Sequence, residues 1–195
     1  MIAPYIRPLA LVAMLAAAPV AAQDTATDDS AAADALPVGE EVGGPGSTYV
    51  AETHGDWEIQ CERTEDGSDP CVMNQLMKNA EGGSMAEINL FALPEAAGDA
   101  IAGATIITPL ETLLTKNITL QVGSRQPKRY QFTFCTQIGC VARVGFTAED
   151  IDAFRKGAEA TVTVFAIAAP NQPFNAIMSL SGFTAAYDAL QAMNN

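Results

Sequence analysis

The chain has 195 residues, of which 49% are hydrophobic and 17% charged, and its formal net charge is −13 at pH 7. This length fits one ordinary domain with short additional segments. A strongly acidic chain repels nucleic-acid phosphates and anionic lipid surfaces, and we expect no nucleic acid as a partner; such a charge is also ordinary for a secreted domain.

Residues 1–22 have the pattern of a signal peptide for export. Arg7 supplies the basic start, and residues 9–18 form an apolar segment that is shorter than the ~20 residues needed to span a bilayer. Small residues follow at positions 20–22, so we predict Sec export with cleavage after Ala22. The alternative is an uncleaved anchor, which no stop-transfer pattern supports. No later segment is long and apolar enough to span a membrane.

Residues 23–47 predict a disordered acidic spacer rich in Ala, Asp and Gly. The segment carries acidic residues with no Lys or Arg and has no aromatic residue, so it cannot bury enough apolar surface to order itself. The glycine-rich stretch at 43–46 predicts a flexible break before the domain. We therefore place a β domain at residues 48–195.

The domain is predicted to be mainly β, because short alternating apolar segments are separated by turn residues. Predicted strands cover residues 57–61, 71–77, 86–91, 104–107, 118–122, 130–135, 140–144, 160–167 and 176–180. The segments 130–135 and 140–144 are expected to form a hairpin around Gly139. The strand order cannot be read from one sequence.

Two short helices are predicted among the strands. Thr147 can cap a helix over 148–156, with Glu149 and Asp150 in its first turn, where their charges meet unpaired backbone N–H groups. A second helix is predicted over 184–193. Together these elements indicate a disulfide-stapled β-sandwich with two short helices, with a closed barrel as the alternative.

Four cysteines lie as two close pairs, Cys61 with Cys71 and Cys135 with Cys140. Three pairings are available to four cysteines, and we predict the local one because each pair flanks a predicted hairpin turn. A redox-active pair and a zinc site are the alternatives. Both favour the tighter Cys-x-x-Cys spacing, which this chain lacks. Disulfides indicate an oxidising compartment.

Three groups of residues together carry a family resemblance. They are Gly-Asp-Trp-Glu-Ile-Gln-Cys at 55–61 with Cys-Val-Met-Asn-Gln at 71–75, Phe-Cys-Thr-Gln-Ile-Gly-Cys at 134–140, and Leu-Ser-Gly-Phe at 180–183. From about residue 50 onward the chain resembles the invasion-associated locus B family of exported bacterial proteins. The resemblance implies a mostly β domain with two disulfides, in the envelope or outside a Gram-negative cell. Some relatives are associated with entry into host cells, and the family supplies no catalytic motif.

Few other residues suggest chemistry. His54 is the single histidine, so it cannot form a histidine cluster, and no Gly-x-Ser-x-Gly elbow accompanies it. Arg125, Lys128 and Arg129 form a basic cluster that could contact an anionic partner, such as lipopolysaccharide or an acidic protein; a solvated turn is the alternative. Trp57 is expected in the core rather than as a binding anchor. We predict neither metal nor cofactor.

These observations predict a non-enzymatic, exported binding protein of the bacterial envelope whose partner is a protein or an envelope component. Its location is periplasmic, outer-membrane-associated or extracellular. A periplasmic chaperone or assembly factor is the first alternative and requires exposed apolar surface. A thiol-redox enzyme is the second.

Overall fold

The computed structural model describes residues 42–93 and 98–194. The predicted signal peptide and the predicted spacer up to residue 41 lie outside the described residues. The described strands are β1 (Thr48–His54), β2 (Trp57–Glu62), β3 (Cys71–Lys78), β4 (Ser84–Ala92), β5 (Ala100–Thr108), β6 (Ile118–Val122), β7 (Lys128–Tyr130), β8 (Phe134–Thr136), β9 (Gly139–Thr147), β10 (Glu159–Ala166) and β11 (Ala169–Ser179). The helices are α1 (Ala148–Lys156) and α2 (Phe183–Met193), and Leu114–Lys116 forms a 3-10 turn.

The mainly β fold with two short helices is confirmed. The predicted strands are present except that 130–135 is divided into two short strands, and both helices begin within one residue of the predicted starts. Strand β1 was not predicted, because all of its residues are exposed or half-buried and show no apolar alternation. The segment from residue 42 to 47, assigned to the spacer, is hydrogen-bonded to the end of β2: Gly46 N–H donates to Arg63 O over 2.8 Å.

The strands form one antiparallel sheet in the order β7-β6-β10-β11-β3-β4-β5-β9-β8, with β2 also paired to β3, and β1 to β2. The predicted strand 130–135 is divided, because its first part pairs with β6 and its last part with β9. Residues 131–133 therefore connect the two ends of the sheet order, which requires the sheet to curl. Tyr130 and Phe146 meet edge-to-face across this closure, with ring centroids 6.4 Å apart.

The core fills the concave side of the curled sheet. Alternate residues of β2, β3 and β4 are buried, as the period of a strand with one covered face requires. Helices α1 and α2 add Phe154 and Phe183, whose rings meet at 5.3 Å. The aromatic contacts continue from Phe183 to Trp57 at 5.5 Å, and Trp57 is fully buried as predicted.

The start of α1 has the predicted cap. Asp150 N–H donates to Thr147 Oγ1, and Thr147 N–H donates to the Asp150 carboxylate, which completes a capping box. In the part of the chain that the structure describes, neither helix has the length and apolar character that crossing a membrane requires.

Candidate functional site

Strand β3 has two partners along the same side, and a glutamine fills the space between them. Residues 71–74 of β3 pair with β2, whereas Lys78 pairs with Ile177 of β11. Between these stretches lies Gln75, whose side chain is 5% exposed. Its Nε2 donates to Asp56 O over 3.1 Å and to Ser179 O over 3.0 Å, and its Oε1 accepts from Ser179 N–H over 2.8 Å. The amide thus takes the place of ladder hydrogen bonds where β2 and β11 meet.

Two glycines allow the same chain segments to approach closely. Gly182 has φ +82°, and a Cβ there would lie 2.0 Å from His54 O. Gly55 has φ +59°, and a Cβ there would lie 2.6 Å from Ser181 O. In addition to the three hydrogen bonds of Gln75, Trp57 Nε1 donates to Ser179 O over 2.9 Å. We call Gly55, Trp57, Gln75, Ser179 and Gly182 the strand clasp.

The clasp includes residues from two of the sequence groups that carry the family resemblance. Glycine is required at two of these positions because other residues would place a Cβ into a backbone carbonyl. The role of these residues in the structure is therefore to hold β2, β3 and β11 together. Two of them, Gln75 and Ser179, also line a groove on the outer face of the sheet.

A groove of about 860 Å³ lies on the outer face of the sheet beside the clasp. Its lining includes the apolar side chains of Leu76 and Ile177, and Leu76 is 51% exposed. Carboxylate, amide, hydroxyl and ammonium groups make up the rest of the lining, contributed by Asp56, Glu58, Gln60, Asn74, Gln75, Lys78, Asn79, Glu87 and Ser179. Carboxylates outnumber ammonium groups by three to one in this lining, so the groove favours ligands that donate hydrogen bonds or carry positive charge.

Internal hydrogen bonds hold the carboxylates in place and leave each of them one oxygen for a ligand. Glu87 Oε1 accepts from Asn74 and Asn89, each over 2.8 Å. Glu58 Oε2 accepts from Gln60 over 3.0 Å, and Ser179 Oγ donates to an Asp56 carboxylate oxygen over 2.6 Å. The second oxygen of each carboxylate has no hydrogen-bond partner among residues 42–93 and 98–194.

Sequence analysis did not identify the groove. Its lining comes from four strands, β2, β3, β4 and β11, and from two turns. Strand β11 is distant along the chain from the others, and alternating polar residues on an outer strand face are ordinary. A sequence signal was present in the pairing of Glu and Asn or Gln at alternate positions of β2 and β4. That pattern is typical of any solvent-facing strand surface, so it does not by itself predict a binding site.

The two predicted disulfides are present and occupy different environments. Cys61 and Cys71 face each other across β2 and β3, and the side chains are 2% and 7% exposed. Cys135 and Cys140 face each other across β8 and β9. Cys140 is 3% exposed, whereas Cys135 lies on a strand whose three residues are all exposed.

The basic cluster predicted as an anion contact is partly neutralised. Arg125 pairs with Glu149, and Lys128 Nζ lies 2.6 Å from an Asp150 carboxylate oxygen, so two of the three cations face the start of α1. Burial raises the pKa of Asp150, but hydrogen bonds from Lys128 and Thr147 outweigh it and the net pKa is lowered. Arg129 is exposed. An anionic partner there remains a prediction, and it would compete with these two carboxylates.

Other predicted positions lie apart from the groove lining. His54 Nε2 lies 2.7 Å from Glu52 Oε2 beside the β1–β2 turn. Among the described residues, no group of three or more His, Cys, Asp or Glu side chains is arranged to hold a metal ion.

Three exposed apolar side chains lie at one end of the sheet: Leu110, Ile138 and Ile167 are 52%, 74% and 61% exposed. The backbone brings their loops together. Ile167 N–H donates to Glu111 O over 2.8 Å, and a Cβ at Gly139 would lie 2.4 Å from Thr108 O. We call Leu110, Ile138 and Ile167 the apolar end.

Comparison with known proteins gives a consistent result. Residues 57–191 match the family model described as invasion associated locus B (IalB) protein. Invasion protein B homologues of Brucella abortus strain 2308 and of B. abortus biovar 1 strain 9-941 are each 31% identical over 148 residues, covering 76% of this chain and 83% of the relative. The crystal structure of invasion associated protein b from Bartonella henselae matches with a TM-score of 0.61 and 25% identity, covering 73% of this chain and 95% of that one.

Proposed function

We propose that this chain, which belongs to the invasion associated locus B family, is an exported, non-enzymatic binding protein of the bacterial envelope. The proposal includes cleavage after Ala22 and an acidic spacer up to about residue 47, ahead of the binding domain. Two closed disulfides support export, because such bonds persist in the periplasm and outside the cell rather than in the cytoplasm. The relatives are named as invasion proteins, which supports an outward-facing role for this chain as well.

The observation that carries the binding role is the groove. It is open, Leu76 and Ile177 add apolar surface to its lining, and its carboxylates keep free acceptor oxygens. A site of this kind suits a partner that supplies ammonium, guanidinium, amide or hydroxyl donors from an extended segment. The clasp and the Cys61–Cys71 disulfide hold the groove walls in place, which lowers the ordering cost of binding.

Photo-crosslinking in living cells tests the groove. A photoreactive amino acid in place of Leu76 should yield a discrete adduct, since this side chain is exposed within the groove. Adding Glu58→Gln and Glu87→Gln should remove the adduct, whereas Glu65→Gln with Glu111→Gln changes the net charge equally outside the groove and should leave it. Absence of an adduct at Leu76, or equal loss with both pairs of substitutions, contradicts binding at the groove.

Protease access tests the location. A tagged copy should be digested on intact cells if the domain faces outward. Protection until the outer membrane is permeabilised would place the partner in the periplasm. Protection that persists after the outer membrane is opened, with digestion only after cell lysis, would contradict export.

A periplasmic chaperone or assembly factor is the second candidate, and the apolar end favours it. Exposed apolar side chains on neighbouring loops can hold an unfolded or unassembled chain. This role predicts suppression of aggregation of a model client protein, and loss of that effect in Ile138→Asn with Ile167→Asn. If the groove substitutions remove the effect and the apolar-end substitutions do not, the chaperone assignment to this end is wrong.

A further inference from the structure

The two disulfides differ in how a reagent in solution can reach them. Both cysteines of the Cys61–Cys71 pair are buried, and both belong to the hydrophobic core cluster. The Cys135–Cys140 pair has one buried and one exposed member, because β8 is a three-residue edge strand that is exposed along its whole length. Attack on a disulfide requires access to one sulfur along the S–S axis, so access at Cys135 is sufficient.

Opening the exposed disulfide leaves the core in place. Strand β8 contributes no buried residue, whereas β9 contributes Val141, Ala142 and Val144 and pairs with β5 along its length. Cys140 is held independently of its disulfide, since Thr108 Oγ1 donates to Cys140 O over 3.2 Å. The loop closed by this bond is also the shorter of the two, so the bond restricts the unfolded chain less. By contrast, a reagent reaches Cys61–Cys71 only after part of the core has opened.

We propose that the Cys135–Cys140 hairpin is a thiol–disulfide exchange site that reacts with a protein dithiol of the Cys-x-x-Cys class while the domain remains folded. The thiolate of the dithiol attacks Sγ of Cys135, forming an intermolecular disulfide and breaking the Cys135–Cys140 bond. Cys140 leaves as a thiolate and takes a proton from solvent. The second thiol of the partner then attacks the partner sulfur of the mixed disulfide and releases Cys135.

The net reaction transfers two electrons and two protons from the dithiol to the hairpin. The hairpin ends with two thiols, and the partner ends with one disulfide. The same route in reverse oxidises the hairpin after export. This site makes the domain a substrate of an oxidoreductase: Cys135 lies on a strand, whereas the thiolate of such enzymes is tuned at a helix N-terminus. The inference is independent of the proposed binding groove.

Differential alkylation of the purified domain tests the inference. Native protein is treated with dithiothreitol, quenched with an alkylating agent at intervals, and mapped by mass spectrometry, so that both disulfides are followed in one sample. We expect Cys135 and Cys140 to be alkylated at least about tenfold faster than Cys61 and Cys71, which corresponds to an opening cost of about 1.4 kcal/mol for the buried pair. Far-UV circular dichroism should stay unchanged while the first pair opens.

The denatured chain provides the control for exposure. In guanidinium chloride the two disulfides should react at similar rates, since the fold no longer protects one of them. A rate difference that persists in denaturant, simultaneous opening of both pairs in the native domain, or earlier opening of Cys61–Cys71 would each overturn the inference.

A trapping experiment tests the site of attack. A thioredoxin-fold protein whose resolving cysteine is replaced by serine should form a mixed disulfide with the native domain, and peptide mapping should locate it at Cys135. A mixed disulfide at Cys140, Cys61 or Cys71 would contradict the proposed attack. The Cys135→Ser, Cys140→Ser variant should form no adduct and should retain the circular dichroism of the folded domain. An adduct of that folded variant would contradict the assignment of this hairpin.

Discussion

Replacing Gln75 by leucine should destabilise the domain far more than the same replacement of another glutamine on the sheet. The substitution removes three hydrogen bonds and leaves Ser179 N–H and Asp56 C=O without the partner that now satisfies them. Two such groups cost roughly 2 kcal/mol each, and burial of the leucine side chain offsets about 1 kcal/mol, so the net loss is about 3 kcal/mol. For a domain of this size that loss lowers Tm by roughly 6–12 °C.

Gln60→Leu is the matched control, because Gln60 is half-buried on β2 and its side chain makes one hydrogen bond, to Glu58. We expect this control to change stability by less than about 1 kcal/mol. Urea denaturation followed by circular dichroism, with both disulfides intact, measures the two variants. A Gln75→Leu domain that is no less stable than Gln60→Leu would show that the amide does not join β2 to β11, and the description of the clasp would be wrong.

Three further predictions follow from local contacts. Gly182→Ala should lower the free energy of unfolding by more than about 2 kcal/mol, because left-handed backbone strain adds to a clash between the new Cβ and a backbone carbonyl. Gly67→Ala is the control: Gly67 has φ +74° but open space around it, so the loss measured in thermal melts should be about 1 kcal/mol. Tyr187→Phe should leave stability unchanged or raise it by up to about 1 kcal/mol, since the buried hydroxyl has no partner among the described residues; a larger loss in urea would refute this. The folded-state pKa of Asp150 is lowered, so its stabilisation is present above its unfolded pKa and is lost as pH falls through the folded value. Asp150→Asn should therefore cost about 1 kcal/mol at neutral pH, and the difference from wild type should shrink below about pH 4; a difference that is constant with pH would contradict the ion pair with Lys128.

The elements most predictable from sequence were those with a short-range physical cause. The α1 cap needs only Thr147 and Asp150, three residues apart, and the structure contains both halves of the capping box. The disulfide pairing followed from hairpin turns that bring neighbouring segments together. The prediction of one strand over 130–135 was wrong, because Tyr130 pairs with β6 and residues 134–135 pair with β9, and pairing partners are not encoded locally.

The groove was not predictable for the same reason. It exists because β2 and β11 both lie along one side of β3, an arrangement set by the fold as a whole. Gln75 appeared in sequence as one polar residue on a strand. Only the tertiary structure shows that its amide replaces backbone pairing between segments about 100 residues apart.

The residues that carry the family resemblance overlap with the residues that line the groove, since positions 56, 58, 60, 74 and 75 belong to both, but different physical constraints act on different positions. At Gly55 and Gly182 a backbone carbonyl excludes any side chain, so the fold dictates the residue type. At Glu58, Leu76 and Glu87 the side chains face the open groove, and many residue types would leave the fold intact. Leu76 and Glu87 also lie outside the sequence groups that carry the family resemblance. The fold and the disulfides therefore do not specify what the groove recognises, so the partner of this chain has to be sought with its own groove residues.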